Sequence, residues 1–138
     1  MIFLLDTNAW IHASRRPGSG LAARLDTAAE RGQVVISDLV RAELMEGACL
    51  SGQTDHDLAF LHDALAPHPS LPFDHRTADA YARTRAHLRL AGTPIGPIDT
   101  AIAATALVNR CTVVTHNRKH FDLVPGLAVE DWEAEESS

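Results

Sequence analysis

A chain of 138 residues, 46% hydrophobic and 22% charged, has the size and balance of one globular domain with a single core. Its net charge of −6 argues against a nonspecific coat for nucleic acid, although the tail EDWEAEE at 130–136 holds five of the 18 acidic residues and leaves the body nearly neutral. Cys49 and Cys111 form neither a CxxC pair nor a disulfide framework and read as thiols of a reducing compartment. No run approaches the roughly 18 apolar residues of a membrane helix, and Asp6 interrupts the opening MIFLL before it can act as a signal peptide. A cytoplasmic protein with no membrane segment is expected, a single domain over 1–138 whose acidic end, about 130–138, reads as a solvated tail.

IFLL (2–5) is a short apolar run that predicts a buried first strand ending at Asp6. A loop rich in Arg, Pro, Gly and Ser occupies 15–20, and LAARLDTAAERG predicts a helix with Ser19 as its N-cap and Gly32 as its stop. QVVI (33–36) is the second strand, after which Ser37 caps the helix DLVRAELMEGACL and a further helix covers about 54–66. Pro67, Pro69 and Pro72 break the chain around a short LPF strand, where Pro72 suits a sheet edge. A long helix over about 75–91 stops at Gly92, and the loop GTPIGP leads into the helix DTAIAATALVNR. The strand TVVT (112–115) and a weak strand near LAV (127–129) close the chain.

Strands alternating with helices predict an α/β fold, a mostly parallel sheet of four or five strands flanked by helices. Ligands of such sheets bind at the carboxyl ends of the strands. That topology sends four polar residues to one rim: Asp6 after the first strand, Glu43 in the helix leaving the second, Asp99 opening the helix that feeds TVVT, and Asn117 just beyond TVVT. Three carboxylates and an amide in one volume repel unless a hard cation such as Mg²⁺ or Mn²⁺ neutralises them, because hard metals prefer oxygen ligands.

Each residue also has a plainer explanation. Asp6-Thr7-Asn8 can cap a helix, Asp99 with Pro97 at the first helical position complements a helix dipole, and Asn117 can be a turn residue. Glu43 is the hardest to dismiss: on a helical wheel it falls in the sector of Leu39, Val40 and Leu50, where an unpaired buried carboxylate is costly. Arg15, Arg16, Arg118 and Lys119 lie near Asp6 and Asn117 in sequence, where they would meet the phosphates of a polyanion. His116 and His120 have i, i+4 spacing but no evident third ligand for a zinc site. The RRPGSG loop lacks the Gly-Lys-Ser/Thr ending of a phosphate loop. A phosphoacceptor receiver domain would want an acidic neighbour for Asp6 and a lysine at a later strand's end, whereas Lys119 is the only lysine.

LLDTNAWI, SDLVRAELMEG, GTPIGPIDTAIAATAL and VVTHNRKHFDLVPGL, in that order, resemble the PIN-domain ribonucleases, particularly the VapC toxins of bacterial toxin–antitoxin pairs. The segment PIG-x-x-D-x-x-IAA followed by T-x-N-x-x-x-F carries most of the specificity. The resemblance implies a PIN-like three-layer fold and a Mg²⁺- or Mn²⁺-dependent endoribonuclease, with RNA as substrate. It also implies a homodimer and a cognate antitoxin whose C-terminal segment blocks the acidic pocket. It makes Asp6, Glu43 and Asp99 the metal site and puts Asn117 where many PIN domains carry a fourth acid, a departure that bears on whether a second metal binds. Thr7 and Asn8 would support the ligands from behind. The alternative is a PIN-like module that binds RNA or protein without cleaving, against which an intact acidic trio argues.

Overall fold

β1 (Phe3–Leu5) runs through the middle of the sheet, and all three of its residues are buried. The structure, a computed structural model, describes residues 1–133. After β1 come α1 (Thr7–Arg15), α2 (Gly20–Glu30), β2 (Val34–Ser37), α3 (Asp38–Cys49), α4 (Thr54–Leu65), β3 (Ser70–Leu71) and α5 (His75–Leu90). They are followed by α6 (Pro97–Asn109), β4 (Thr112–Val114), α7 (Arg118–Phe121) and β5 (Val129–Glu130). The sheet order is β3-β2-β1-β4-β5, and every strand pair is parallel.

Strand alternation divides the core. Leu4, Val35 and Val113 face a cluster with Val40, Leu44, Leu88, Ile102 and Phe121, while Phe3, Leu5, Val34 and Val114 face Ala9, Leu21 and Ala28 of α1 and α2. Helices therefore cover both faces, the three-layer arrangement expected of a buried parallel sheet. α6 is buried continuously from Thr100 to Ala106, and its run of alanines and threonines lets it lie close to its neighbours. The caps act as the sequence predicts. Ser19 accepts from the Ala22 N–H (3.2 Å) and Ser37 from the Val40 N–H (3.0 Å). Gly92, at φ +73, occupies the left-handed conformation that ends α5.

Four details depart from the sequence reading. α1 and the short α7 fill stretches to which periodicity assigned no element. β3 is two residues, Ser70–Leu71, and stops before Pro72, which has no N–H to continue the ladder. β5 is displaced to Val129–Glu130 because Val113 and Val114 of β4 pair with those residues. The acidic end is also no solvated tail through residue 133. Trp132 is 1% exposed, sets its ring edge-on against Phe3 at 5.0 Å between centroids, and lies under the Arg24 guanidinium at 4.7 Å. Its indole N–H donates to Glu130 Oε1 (3.0 Å), which Arg24 also contacts at 3.2 Å. The rest of that tail, 134–138, lies outside the described residues.

Because Trp132 is core and not tail, Trp132→Ala is expected to cost about 3–5 kcal/mol. Urea unfolding measures this, and a loss below about 1 kcal/mol, the range of surface substitutions, would remove Trp132 from the core.

Candidate active site

In the strand order, the chain leaves β1 toward β2 and β3 on one side and reaches β4 and β5 on the other. The reversal between β1 and β4 opens a crevice at their carboxyl ends, where ligands of open α/β sheets bind. Asp6 stands in it. Its backbone N–H donates to Val114 O of β4 (3.1 Å), so the residue is fixed to both strands at once. Oδ1 accepts from the Ala9 N–H (2.9 Å) and caps α1, while Oδ2 accepts from the Thr115 hydroxyl (2.6 Å). The carboxylate is 7% exposed. Burial pushes its pKa above the ordinary 3.8, the bonds from Thr115 and Ala9 pull it back, and the charges of Asp99 and Glu133 push it up further.

Gly96 and Pro97 start α6, which puts Asp99 in its first turn. Burial raises the Asp99 carboxyl, the neighbouring His120 imidazole lowers it, and the charge of Glu43 raises it again. Glu43 reaches the rim from α3, where its Oε1 accepts from the Thr7 hydroxyl at 2.6 Å. Asn117, just past β4, donates its backbone N–H to Thr115 Oγ1 (2.9 Å) and its side-chain amide to His120 Nδ1 (2.8 Å). That imidazole nitrogen lies 3.6 Å from Asp99 Oδ2. The four residues of the rim are thus linked by charge, by hydroxyls or by one imidazole.

Several expectations need correction. Glu43 is exposed and lies beside the apolar stripe rather than within it, because the buried face of α3 runs through Val40, Leu44 and Ala48 while Leu50 is 78% exposed. Arg15 and Arg16 do not flank Asp6: they sit at the far end of α1, about 13 Å away along the helix axis at 1.5 Å per residue. Arg15 instead lines a groove of about 500 Å³ that also reaches Glu43. Arg118 is on the rim but ion-paired to Asp122 (3.1 Å), and Lys119 beside it is exposed. Thr7 is half-buried and bonded to Glu43, whereas Asn8 is exposed. Thr115 and Glu133 belong to the surroundings of the acids without any sequence signal marking them, and His120, which the sequence offers only as half of a histidine pair, lies beside Asp99.

The donor set fits a hard cation. Asp6 and Glu43 are held by hydroxyls and a backbone N–H, Asp99 faces the His120 imidazole, and carboxylate charge nearby raises both Asp6 and Asp99. Among the described residues, the ligating trio whose donor atoms all lie within 4.8 Å of one another is a different one, His116, Asp131 and Glu133. Asp6, Glu43 and Asp99 offer oxygen alone, the donor that hard cations prefer.

The sequence model of the PIN domain family matches residues 3–127. The chain is 32% identical over 130 residues to the tRNA(fMet)-specific endonuclease VapC of Salmonella typhimurium, covering 94% of this chain and 97% of that protein. It is 30% identical to the ribonuclease VapC2 of Rickettsia felis, with 96% and 99% of the two chains covered. The crystal structure of VapBC2 from Rickettsia felis bound to a promoter DNA fragment contains a chain that superposes with a TM-score of 0.88 at 30% identity, over 96% of this chain and 99% of that one.

A carboxyl whose folded pKa is raised costs stability once ionised: its contribution is intact below about pH 3.8 and is lost as pH rises through the folded value. In EDTA, Asp6→Asn should therefore match wild type near pH 4 and equal or exceed it at pH 7, since Asn caps as well as Asp. Asp6→Ala should lose about 1 kcal/mol of cap at either pH. Thermal melts decide, and an Asn variant clearly less stable than wild type at pH 7 would contradict a strained, charged Asp6.

Proposed function

The chain belongs to the PIN domain family, and from that premise we propose that it is an Mg²⁺- or Mn²⁺-dependent endoribonuclease, the toxin of a toxin–antitoxin pair. One observation supports the reading above the others. Three carboxylates from three separate stretches gather at the sheet's switch point, close enough that Asp99 feels Glu43 and Asp6 feels Asp99. A fold gains nothing in stability from that crowding; a site for a cation does.

Asp6 and Asp99 would hold the ion, with Glu43 completing the ligand set directly or through water. When bound, the ion would supply Lewis-acid polarisation of a phosphodiester oxygen and a lower pKa for water at the site. The chain's own contribution is positional. Thr115 fixes the Asp6 carboxylate and Thr7 fixes Glu43, each through a 2.6 Å bond. Asn117 cannot act as a base, and its amide is placed to hold a water or a phosphate oxygen. Arg118 and Lys119, at the start of α7, are the cations near enough to this rim to meet an RNA backbone; Arg15 and Arg16 would serve only an RNA that continues along the groove.

Purified protein with Mg²⁺ or Mn²⁺ should cleave a susceptible RNA, EDTA should stop it, and Asp6→Asn or Asp99→Asn should abolish it. Thr7→Val, which frees Glu43, should lower the rate about 10- to 100-fold, the usual cost of losing a group that orients a ligand. Cleavage undiminished in EDTA would end the proposal.

The solved relative was crystallised as a VapBC complex. For this chain we likewise infer a cognate antitoxin, and a homodimer as the working assembly. A rim of crowded carboxylates is a receptor for a guanidinium, which can pair with them bidentately. The antitoxin should place an Arg or Lys against Asp6 and Asp99. Charge reversal of that residue should release ribonuclease activity, and an inhibitor that leaves both aspartates open to solvent would refute this mode of blocking.

A further inference from the structure

His116 and His120, four residues apart, diverge in the structure. His120 turns to Asp99 and Asn117, whereas His116 meets two carboxylates from the end of the chain. His116 Nδ1 lies 3.0 Å from Asp131 Oδ2 and 3.8 Å from Glu133 Oε2, and these donor atoms all lie within 4.8 Å of one another. Both carboxylates are presented by their other oxygen. Asp131 Oδ1 accepts from the Glu133 N–H (2.9 Å), and Glu133 Oε1 is bound by His12 Nδ1 of α1 (2.8 Å). Three separated stretches, at 12, 116 and 131–133, thus converge on one nitrogen and two oxygens.

We propose that His116, Asp131 and Glu133 form a binding site for a divalent cation of the zinc class, beside the Asp6–Asp99 rim and using none of its ligands. The donor set favours that class. An imidazole with two carboxylates suits Zn²⁺ and its neighbours, whereas Mg²⁺ is bound through oxygen. The spacing agrees as well: ligands about 2.1 Å from a tetrahedral ion stand roughly 3.4 Å apart, and the two observed separations of 3.0 and 3.8 Å bracket that value. The carboxylates are mostly covered, with side chains 10% and 17% exposed, while the His116 side chain is 66% exposed and gives an ion a route in. His12 acts behind Glu133 as an outer hydrogen-bond partner that fixes the ligand's orientation. A bound ion would clamp the end of the chain, through Asp131 and Glu133, to the loop after β4. This site rests on its own geometry and not on the ribonuclease reading.

The test counts zinc on the untagged full chain after EDTA treatment and equilibrium dialysis against micromolar Zn²⁺, with thermal melts in parallel. The Asp6→Asn/Asp99→Asn double variant, whose rim is disabled, should keep one zinc per chain and a zinc-dependent rise in Tm. Adding His116→Gln should remove that zinc or weaken it at least tenfold and abolish the rise; since His116 is exposed, this change leaves the core untouched. A double variant that binds no zinc, or a triple variant that binds it as well as the double, overturns the site. Neither result depends on RNA cleavage, so the two proposals fail separately.

Discussion

Like charges held together at a sheet's switch point set the terms for the rest of this structure. Asp6 is almost wholly buried, and Asp99 and Glu133 both act on it electrostatically. Such a group survives in a fold only if geometry gives it no escape. Here the escape is closed from two directions, since the Asp6 backbone is tied to β4 while its side chain is committed to the first turn of α1 and to Thr115. The layers then follow from keeping β1 central: with β1 buried on both faces, α1 and α2 must cover one side and α6 with its neighbours the other. The crowded charge at the rim thus stands at the end of the fully buried central strand.

Asp6 shows how structural and functional readings of one residue need not compete. Cap and ligand looked like alternatives, because each explained a carboxylate at the start of a helix. A carboxylate, however, has about four acceptor positions, and here two are taken by Ala9 N–H and the Thr115 hydroxyl. The cap aims the group while its remaining lone pairs stay available to a cation. Asp99 follows the same rule in the first turn of α6, where the helix dipole favours the charge that the site requires.

The parallel architecture and the convergence of Asp6, Asp99 and Asn117 were legible because they depend on period and strand ends, which are local signals. What was not legible depended on the third dimension. Glu43 lies a fraction of a turn from Val40 and Leu44, and a helical wheel alone cannot say which edge of the stripe meets solvent. Arg15 and Arg16 seemed close to Asp6 until α1, whose span carried no strong apolar period, moved them a helix length away. Glu133 was set aside with an acidic tail because composition outweighed the one residue, Trp132, that anchors the segment in the core. Thr115 was read only as the last residue of a strand; its hydroxyl, buried and pointed at Asp6, becomes meaningful once β1 and β4 are known to be neighbours.

The identity of the groups that hold the carboxylates completes the physical picture. Other acids of the molecule do take guanidinium partners, as Glu130 does with Arg24 and Asp122 with Arg118. At the rim the holders are two threonine hydroxyls, a backbone N–H and an imidazole. A guanidinium would have fixed the same geometry more strongly, but it would have cancelled the field and filled the lone pairs that a ligand must use. Hydroxyl and N–H donors orient without neutralising. On the proposed reading, a divalent ion and an arginine side chain from another protein would compete for the same oxygens. Activation and inhibition would then share one physical basis, with Thr7 and Thr115 keeping Glu43 and Asp6 in place for either.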